Sequence, residues 1–139
     1  MINMEERRRF QRYPIYCPIE YKCEDSQPRK ASITINISEG GALISAENLI
    51  EVATNLIIKI YFKNHDFFVK ARVVHVQNGI EGDPFKIGVE FLESSLNFIR
   101  KFYEELETIM FYQRRYSKES ARPISLTEAS MRWYKTSPG

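Results

Sequence analysis

The sequence predicts an all-β domain with a C-terminal helix: about six antiparallel strands forming a barrel or sandwich, followed by one amphipathic helix. Three observations predict it. Between residues 15 and 91 apolar side chains recur at every second position, in short runs broken by turn-rich clusters, with no helix-period run between them. Over residues 94–116 the apolar period lengthens to three and four. The chain has 139 residues, 43% hydrophobic and 27% charged, which is a globular composition. A single domain of this length buries roughly 65–70% of its unfolded surface, enough for a core without staples.

Residues 1–14 form a basic, polar segment expected to be flexible, and "ERRRFQRYP" (6–14) packs four arginines ahead of a proline. Ile15, Cys17, Ile19, Tyr21 and Cys23 share one face of a first strand, and "EDSQPR" (24–29) supplies turn chemistry. "KASITINI" alternates again, predicting Ala31, Ile33, Ile35 and Ile37 on one face with Ser32, Thr34 and Asn36 on the other. "SEGG" (38–41) interrupts the pattern and "ALISA" (42–46) resumes it. "NLIIKIYF" (55–62) points Leu56, Ile58, Ile60 and Phe62 one way, and "FFVKARVVHV" (67–76) does so with Phe67, Val69, Ala71 and Val73. After the turn-rich "QNGIEGDP" (77–84), "FKIGVEF" (85–91) closes the series with Ile87, Val89 and Phe91 inward.

The helix over 94–116 has a serine for its cap and an expected buried stripe of Leu96, Ile99, Tyr103, Leu106 and Met110. Arg114 and Arg115 are expected in its last turn, where they suit the helix dipole. The domain is thus read as 15–116, with 117–139 as a C-terminal tail; there Ser125 or Thr127 is suited to cap a short helix, and Trp133–Tyr134 is read as packing.

Several function classes are disfavoured. The net charge is only +2, from 20 basic and 18 acidic residues, so an electropositive site has to be local. The two cysteines, six apart on a strand, lie about 20 Å apart and cannot bridge; unpaired thiols and the lack of a leader favour a cytoplasmic protein. No apolar run is long enough to span a membrane. His65 and His75 are isolated, and no CxxC, HxxxH or paired-carboxylate spacing suggests a metal. No phosphate-binding loop or nucleophile elbow is present, and Cys17, on an alternating face, reads as core. The expectation is a protein that is not an enzyme and carries no cofactor.

The arginines and "NISEGG" remain. If 15–23 and 30–37 form a hairpin turning near Ser26, residue i faces roughly residue 53 − i. Arg12 then lies across from 38–41, and Asn36 pairs near Cys17. Asn36 and Ser38 share parity and project to one face, opposite Ile35 and Ile37. Gly40 and Gly41 are expected to take positive φ and to let a ligand approach the backbone. Arginine binds phosphate bidentately, matches the O6/N7 edge of guanine and stacks on bases, while Asn and Ser complement a purine. The set is suited to a guanine nucleotide carrying phosphodiester charge.

These residues resemble the motifs of the PilZ family, small bacterial β-barrels that bind cyclic di-GMP. RxxxR before the first strand is matched by Arg8 and Arg12, and [D/N]-x-S-x-x-G by Asn36, Ser38 and Gly41. "IGVEF" resembles the family's closing strand, and a following helix is usual; the resemblance covers roughly residues 5–112. It implies a six- to seven-stranded split barrel packed by the helix. It implies that Arg8 and Arg12 grip phosphates and guanine edges, that Asn36 and Ser38 contact a guanine, and that Gly41 holds the turn beside Gly40. Arg7, just before RxxxR, favours an intercalated ligand dimer over a single molecule. Asn36 stands where Asp is commoner.

The expected function is a stand-alone cyclic di-GMP receptor or adaptor, monomer or homodimer. Ligand would order residues 6–13 across the barrel mouth, and output would pass to a partner protein in motility, exopolysaccharide or similar machinery. Two alternatives stand beside it. One is an interaction module of the same fold without nucleotide binding. The other is a small RNA- or single-strand-binding barrel using the face shared by Phe68, Lys70 and Arg72.

Overall fold

The structure, a computed structural model, describes residues 10–25 and 28–136. Six strands are present among them: β1 (Pro18–Cys23), β2 (Lys30–Ser38), β3 (Gly41–Ala46), β4 (Asn55–Phe62), β5 (His65–Gln77) and β6 (Phe85–Phe91). They close into a barrel in the order β1-β2-β3-β6-β5-β4, every neighbouring pair antiparallel. Closure removes the unpaired edges an open sheet would expose. Two helices follow, α1 (Leu96–Ser120) and α2 (Leu126–Lys135).

Alternation dictates the interior of β4, β5 and β6 as expected. Leu56, Ile58, Ile60 and Phe62 are buried, as are Val69, Ala71 and Val73, then Ile87, Val89 and Phe91. Ile15, Cys17, Ile19 and Tyr21 are buried too, while Cys23 is half-buried, and both cysteines are free. α1 plugs one barrel end with aromatic rings: Phe98 lies 5.9 Å from Phe62, 5.3 Å from Phe67 and 5.7 Å from Phe91, centroid to centroid.

The first hairpin departs from its expected form. Pro18 faces Ile33 and Ile19 faces Ser32, a register two residues shorter than expected. Cys17 therefore meets Thr34, not Asn36: Thr34 N donates to Cys17 O, and Thr34 Oγ1 accepts from Cys17 N, both at 2.9 Å. Thr34 Oγ1 also donates to Ile15 O at 2.6 Å, which satisfies a hydroxyl that is only 1% exposed. The expected facing of β2 is inverted over its first half, because Thr34 points inward and Ile33 and Ile35 are half-buried. The register against β3 shifts between Thr34 and Asn36, a bulge at Ile35 that restores the phase and turns Ile37 into the core.

α1 is also rotated from its expected phase. It buries Phe98, Phe102, Leu106 and Ile109, whereas Leu96 is 85% exposed and Tyr103 40%. The barrel end accepts the large rings, and Leu106 is the one residue both stripes share. Ser95 caps α1, its hydroxyl accepting from Phe98 N at 3.0 Å. The helix runs on to Ser120, so Arg114 and Arg115 precede the last turn and Lys118 occupies it.

The segment read as a tail holds the last residues of α1 and the ten-residue helix α2, capped by Ser125. It sits on the chain just ahead of β1: Thr127 Oγ1 donates to Pro14 O, and Tyr16 N donates to Ser130 Oγ, both at 2.9 Å. Lys63 Nζ donates to the carbonyls of Trp133 (2.6 Å) and Thr136 (2.7 Å) and lies 4.2 Å from the Trp133 ring centroid. Trp133 and Tyr134 pack against the core, in agreement with the packing reading. Among the described residues no helix is long and apolar enough to cross a membrane.

Candidate functional site

An isolated bridge ties the end of the arginine segment to the end of β2. Tyr13 N donates to Ile37 O and Ile37 N donates to Tyr13 O, each at 2.9 Å. Arg12, half-buried, therefore sits beside the Ser38 end of β2, so segment and turn meet as expected even though the register differs. Tyr13 rests 6.2 Å from Phe102, which anchors this junction to α1. Arg7 and Arg8 lie outside the described residues, as does the 6–9 part of the segment expected to order on binding.

Beyond the bulge, Asn36 pairs with Leu43 and Ser38 with Gly41, on the opposite face from Ile37. Asn36 and Ser38 thus share an outer face as expected, while Ile35 is the bulged residue and not a partner of Ile37. Asn36 Oδ1 is shielded from solvent and has no hydrogen-bond donor among the described residues. A buried acceptor left unmatched costs about 1–3 kcal/mol, a cost that a ligand donor would relieve. Ser38 is 4% exposed and serves the turn: its hydroxyl accepts from Gly40 N at 3.1 Å and donates to Gly41 O at 3.3 Å.

Neither Gly40 nor Gly41 has positive φ; among the described glycines only Gly82 does. That expectation is corrected, and the glycines answer to crowding. A β-carbon on Gly40 would lie 2.6 Å from Phe10 Cδ2, so its bareness seats the Phe10 ring on the turn. A β-carbon on Gly41 would lie 2.4 Å from Val89 O, so β3 approaches the β6 backbone there. The neighbour these glycines admit is the protein itself.

Two residues escaped the sequence reading. Glu39, inside the motif, accepts from Tyr103 OH at 2.7 Å, and its carbonyl accepts from Ser94 Oγ at 2.8 Å, tying the turn to α1. The carboxylate pushes the Tyr103 phenol up to about 12 by favouring its protonated, donating form. His75 is the second. Leu43 pairs with Gly88 and Gly88 with His75, so Asn36, Leu43, Gly88 and His75 form one row across four strands. His75 Cβ lies 3.1 Å from where a Gly88 β-carbon would be, so the imidazole occupies space that glycine leaves. The histidine was isolated in sequence; bulges in β2 and β5 bring it into register, and such shifts carry little sequence signal.

Other chemistry gains little support. Cys17 is fully buried, and burial pushes its thiol up to about 12, which suits a core residue and not a nucleophile. Among the described residues no group of three or more His, Cys, Asp and Glu is placed to hold a metal. Phe68, Lys70 and Arg72 are exposed together, with Arg29 and Lys59 4.9 and 5.3 Å from the Phe68 centroid. Lys59 and Arg72 face Asp66 and Glu90 at 3.9 and 4.0 Å, so the face is mixed in charge.

Known proteins share this architecture. The PilZ domain of YcgR from Escherichia coli, solved with c-di-GMP, is 18% identical with a TM-score of 0.59, the match covering 83% of this chain and 97% of that one. Bacillus subtilis inhibitor of motility, MotI/DgrA, is 19% identical with a TM-score of 0.59 over 73% of this chain and 52% of that one. MrkH from K. pneumonia, as its c-di-GMP complex, is 13% identical with a TM-score of 0.60 over 78% and 53%. The match thus spans about half the length of MotI and MrkH, and at these identities the likeness is one of fold. No curated protein matches the chain. The family model described as "PilZ domain" matches residues 6–107, most of the chain and both motifs, and the chain belongs to the PilZ family.

Proposed function

We propose that this chain is a receptor for cyclic di-GMP that passes its signal to a protein partner and catalyses no reaction. The observation that carries the proposal is Asn36 Oδ1, shielded and without a donor among the described residues, on the face where Arg12 meets the "NISEGG" turn. A guanine offers N–H donors to that acceptor, and the ligand's phosphodiester charge suits Arg8 and Arg12. The YcgR and MrkH structures, both with c-di-GMP, support the reading. Arg7 favours an intercalated ligand dimer. Phe10 on Gly40 and Tyr13 on Ile37 seat residues 10–13 against the barrel. In this reading, ordering on binding falls to the residues ahead of Phe10. His75, in the row of Asn36, is suited to stack on a base.

Thermal unfolding tests the proposal. Ligand at a hundredfold excess over its Kd stabilises by about 2.7 kcal/mol, which raises the midpoint of a domain this size by on the order of 10 °C. GTP at the same concentration should leave the midpoint in place. No shift with saturating cyclic di-GMP would return the chain to the alternative of an interaction module.

A further inference from the structure

α1 buries Phe98, Phe102, Leu106 and Ile109, yet two residues beyond Ile109 it carries another phenylalanine. At about 100° per residue, Phe111 lies almost diametrically opposite the buried stripe, and it is 58% exposed. Its surroundings are ordered by sign. One and two turns before it stand Glu107 and Glu104; one and two turns after it stand Arg115 and Lys118, all four exposed. The offsets from Phe111 are −7, −4, +4 and +7, so the pattern maps onto itself with charge reversed. A shallow hollow of about 430 Å³ lined by Glu104, Glu107, Thr108 and Phe111 opens on the same face.

We propose that α1 pairs antiparallel with α1 of a second copy of this chain, about a twofold axis at Phe111. Such an axis sets Glu107 against Arg115 of the second copy and Glu104 against its Lys118, each contact made twice, with the two Phe111 rings meeting at the centre. The hollow one turn before Phe111, walled by Glu104 and Glu107, then receives the Arg115 and Lys118 side chains of the second copy. A parallel arrangement would instead face Glu104 and Glu107 with themselves and Arg115 and Lys118 with themselves, so the charge order selects the antiparallel one. Inside one chain, Arg115 pairs with Glu119 at 3.0 Å and Lys101 with Glu104 at 3.2 Å. These are exposed pairs on one helix, weak enough to exchange for contacts across the axis. The contact from Glu104 to Lys118 is short, roughly 21 Å of helix, so the dimer is weak and concentration-dependent. It does not depend on nucleotide binding.

Sedimentation velocity of the full chain tests this over roughly 5–500 µM, the range a small interface requires. The apparent mass should rise with concentration from 16.4 kDa toward twice that value. Phe111→Ser, Glu107→Arg and Arg115→Glu should each hold the chain monomeric, and Glu107→Arg combined with Arg115→Glu should restore the dimer. All three positions are exposed, and circular dichroism checks that each variant is folded. A chain monomeric at every concentration would overturn the proposal and leave the face to a partner of another kind. A dimer that survives either single reversal, or one the double reversal fails to restore, would overturn it as well.

Discussion

Asn36 and Gly41 show how much single positions in this motif do for the fold as well as for a ligand. "NISEGG" was readable as a turn with a polar outer face, and it is one. What could not be read was that Ser38 spends its hydroxyl on the turn, or that the glycines make room for Phe10 and for Val89 O. Those are contacts with segments distant in sequence, which local chemistry does not specify. Gly41→Ala should therefore destabilise the fold by about 2–3 kcal/mol in urea unfolding, because its β-carbon meets backbone that can yield only if β3 and β6 separate. A change under about 0.5 kcal/mol would contradict this account of the turn.

Cys17 gives a second prediction at this scale. Its thiol is held near 12 by burial, against about 8.5 in an unfolded chain. Above the unfolded value the unfolded chain releases a proton that the folded chain keeps. The contribution to stability is thus complete below about pH 8.5 and lost as pH rises toward 12. Cys17→Val should make the alkaline fall in stability shallower, by up to about 1.4 kcal/mol per pH unit. Equal slopes for the two proteins would count against a protonated, buried thiol.

At the scale of elements, legibility depended on whether a strand carries its sequence period through without a bulge. β4 and β6 were readable because one face alternates without interruption, and β5 as far as Val73, where a bulge breaks the period. β2 was not, because Ala31, Ile33, Ile35 and Ile37 alternate in sequence while a bulge at Ile35 turns Thr34 inward before it and Ile37 inward after it. The helix was readable as a helix but not in phase. Leu96, Ile99, Tyr103, Leu106 and Met110 and the set Phe98, Phe102, Leu106 and Ile109 are both spaced by three and four, and the barrel end decides between them. α2 was legible only as a short helix with a Ser125 cap; its docking was hidden because its support comes from Pro14, Tyr16 and Lys63, far away in sequence.

The end of α1 offers a test of its own. Ala121 closes the helix in the left-handed region at φ 55, where a side chain is strained and glycine is not. Ala121→Gly should raise stability by about 0.5–1 kcal/mol in urea unfolding, relieving that strain while keeping the backbone hydrogen bonds from its N–H to Lys118 O and Ser117 O. A loss of stability would mean that the C-cap is not built this way.

For the whole molecule, topology matters more than any one contact. A closed barrel places β2–β3 on one side and β4–β5 on the other. The arginine segment, the "NISEGG" turn and α1 meet at the plugged end, through Tyr13, Phe102 and the Glu39–Tyr103 hydrogen bond. α2 rests on the same incoming chain at Pro14 and Tyr16. A ligand gripping Arg8 and Arg12 would therefore act on a chain segment that touches both helices, which gives binding a route to a partner-facing surface.

The central claim is that the arginines and Asn36 form one cyclic di-GMP site, and titration calorimetry tests it most directly. The account predicts saturable heat with cyclic di-GMP, two ligands per chain, and none with GTP. Arg12→Ala should weaken binding by about 2–4 kcal/mol through loss of a charge-assisted bidentate contact. No heat from the unaltered chain, or an unchanged Kd for a folded Arg12→Ala variant, would contradict it.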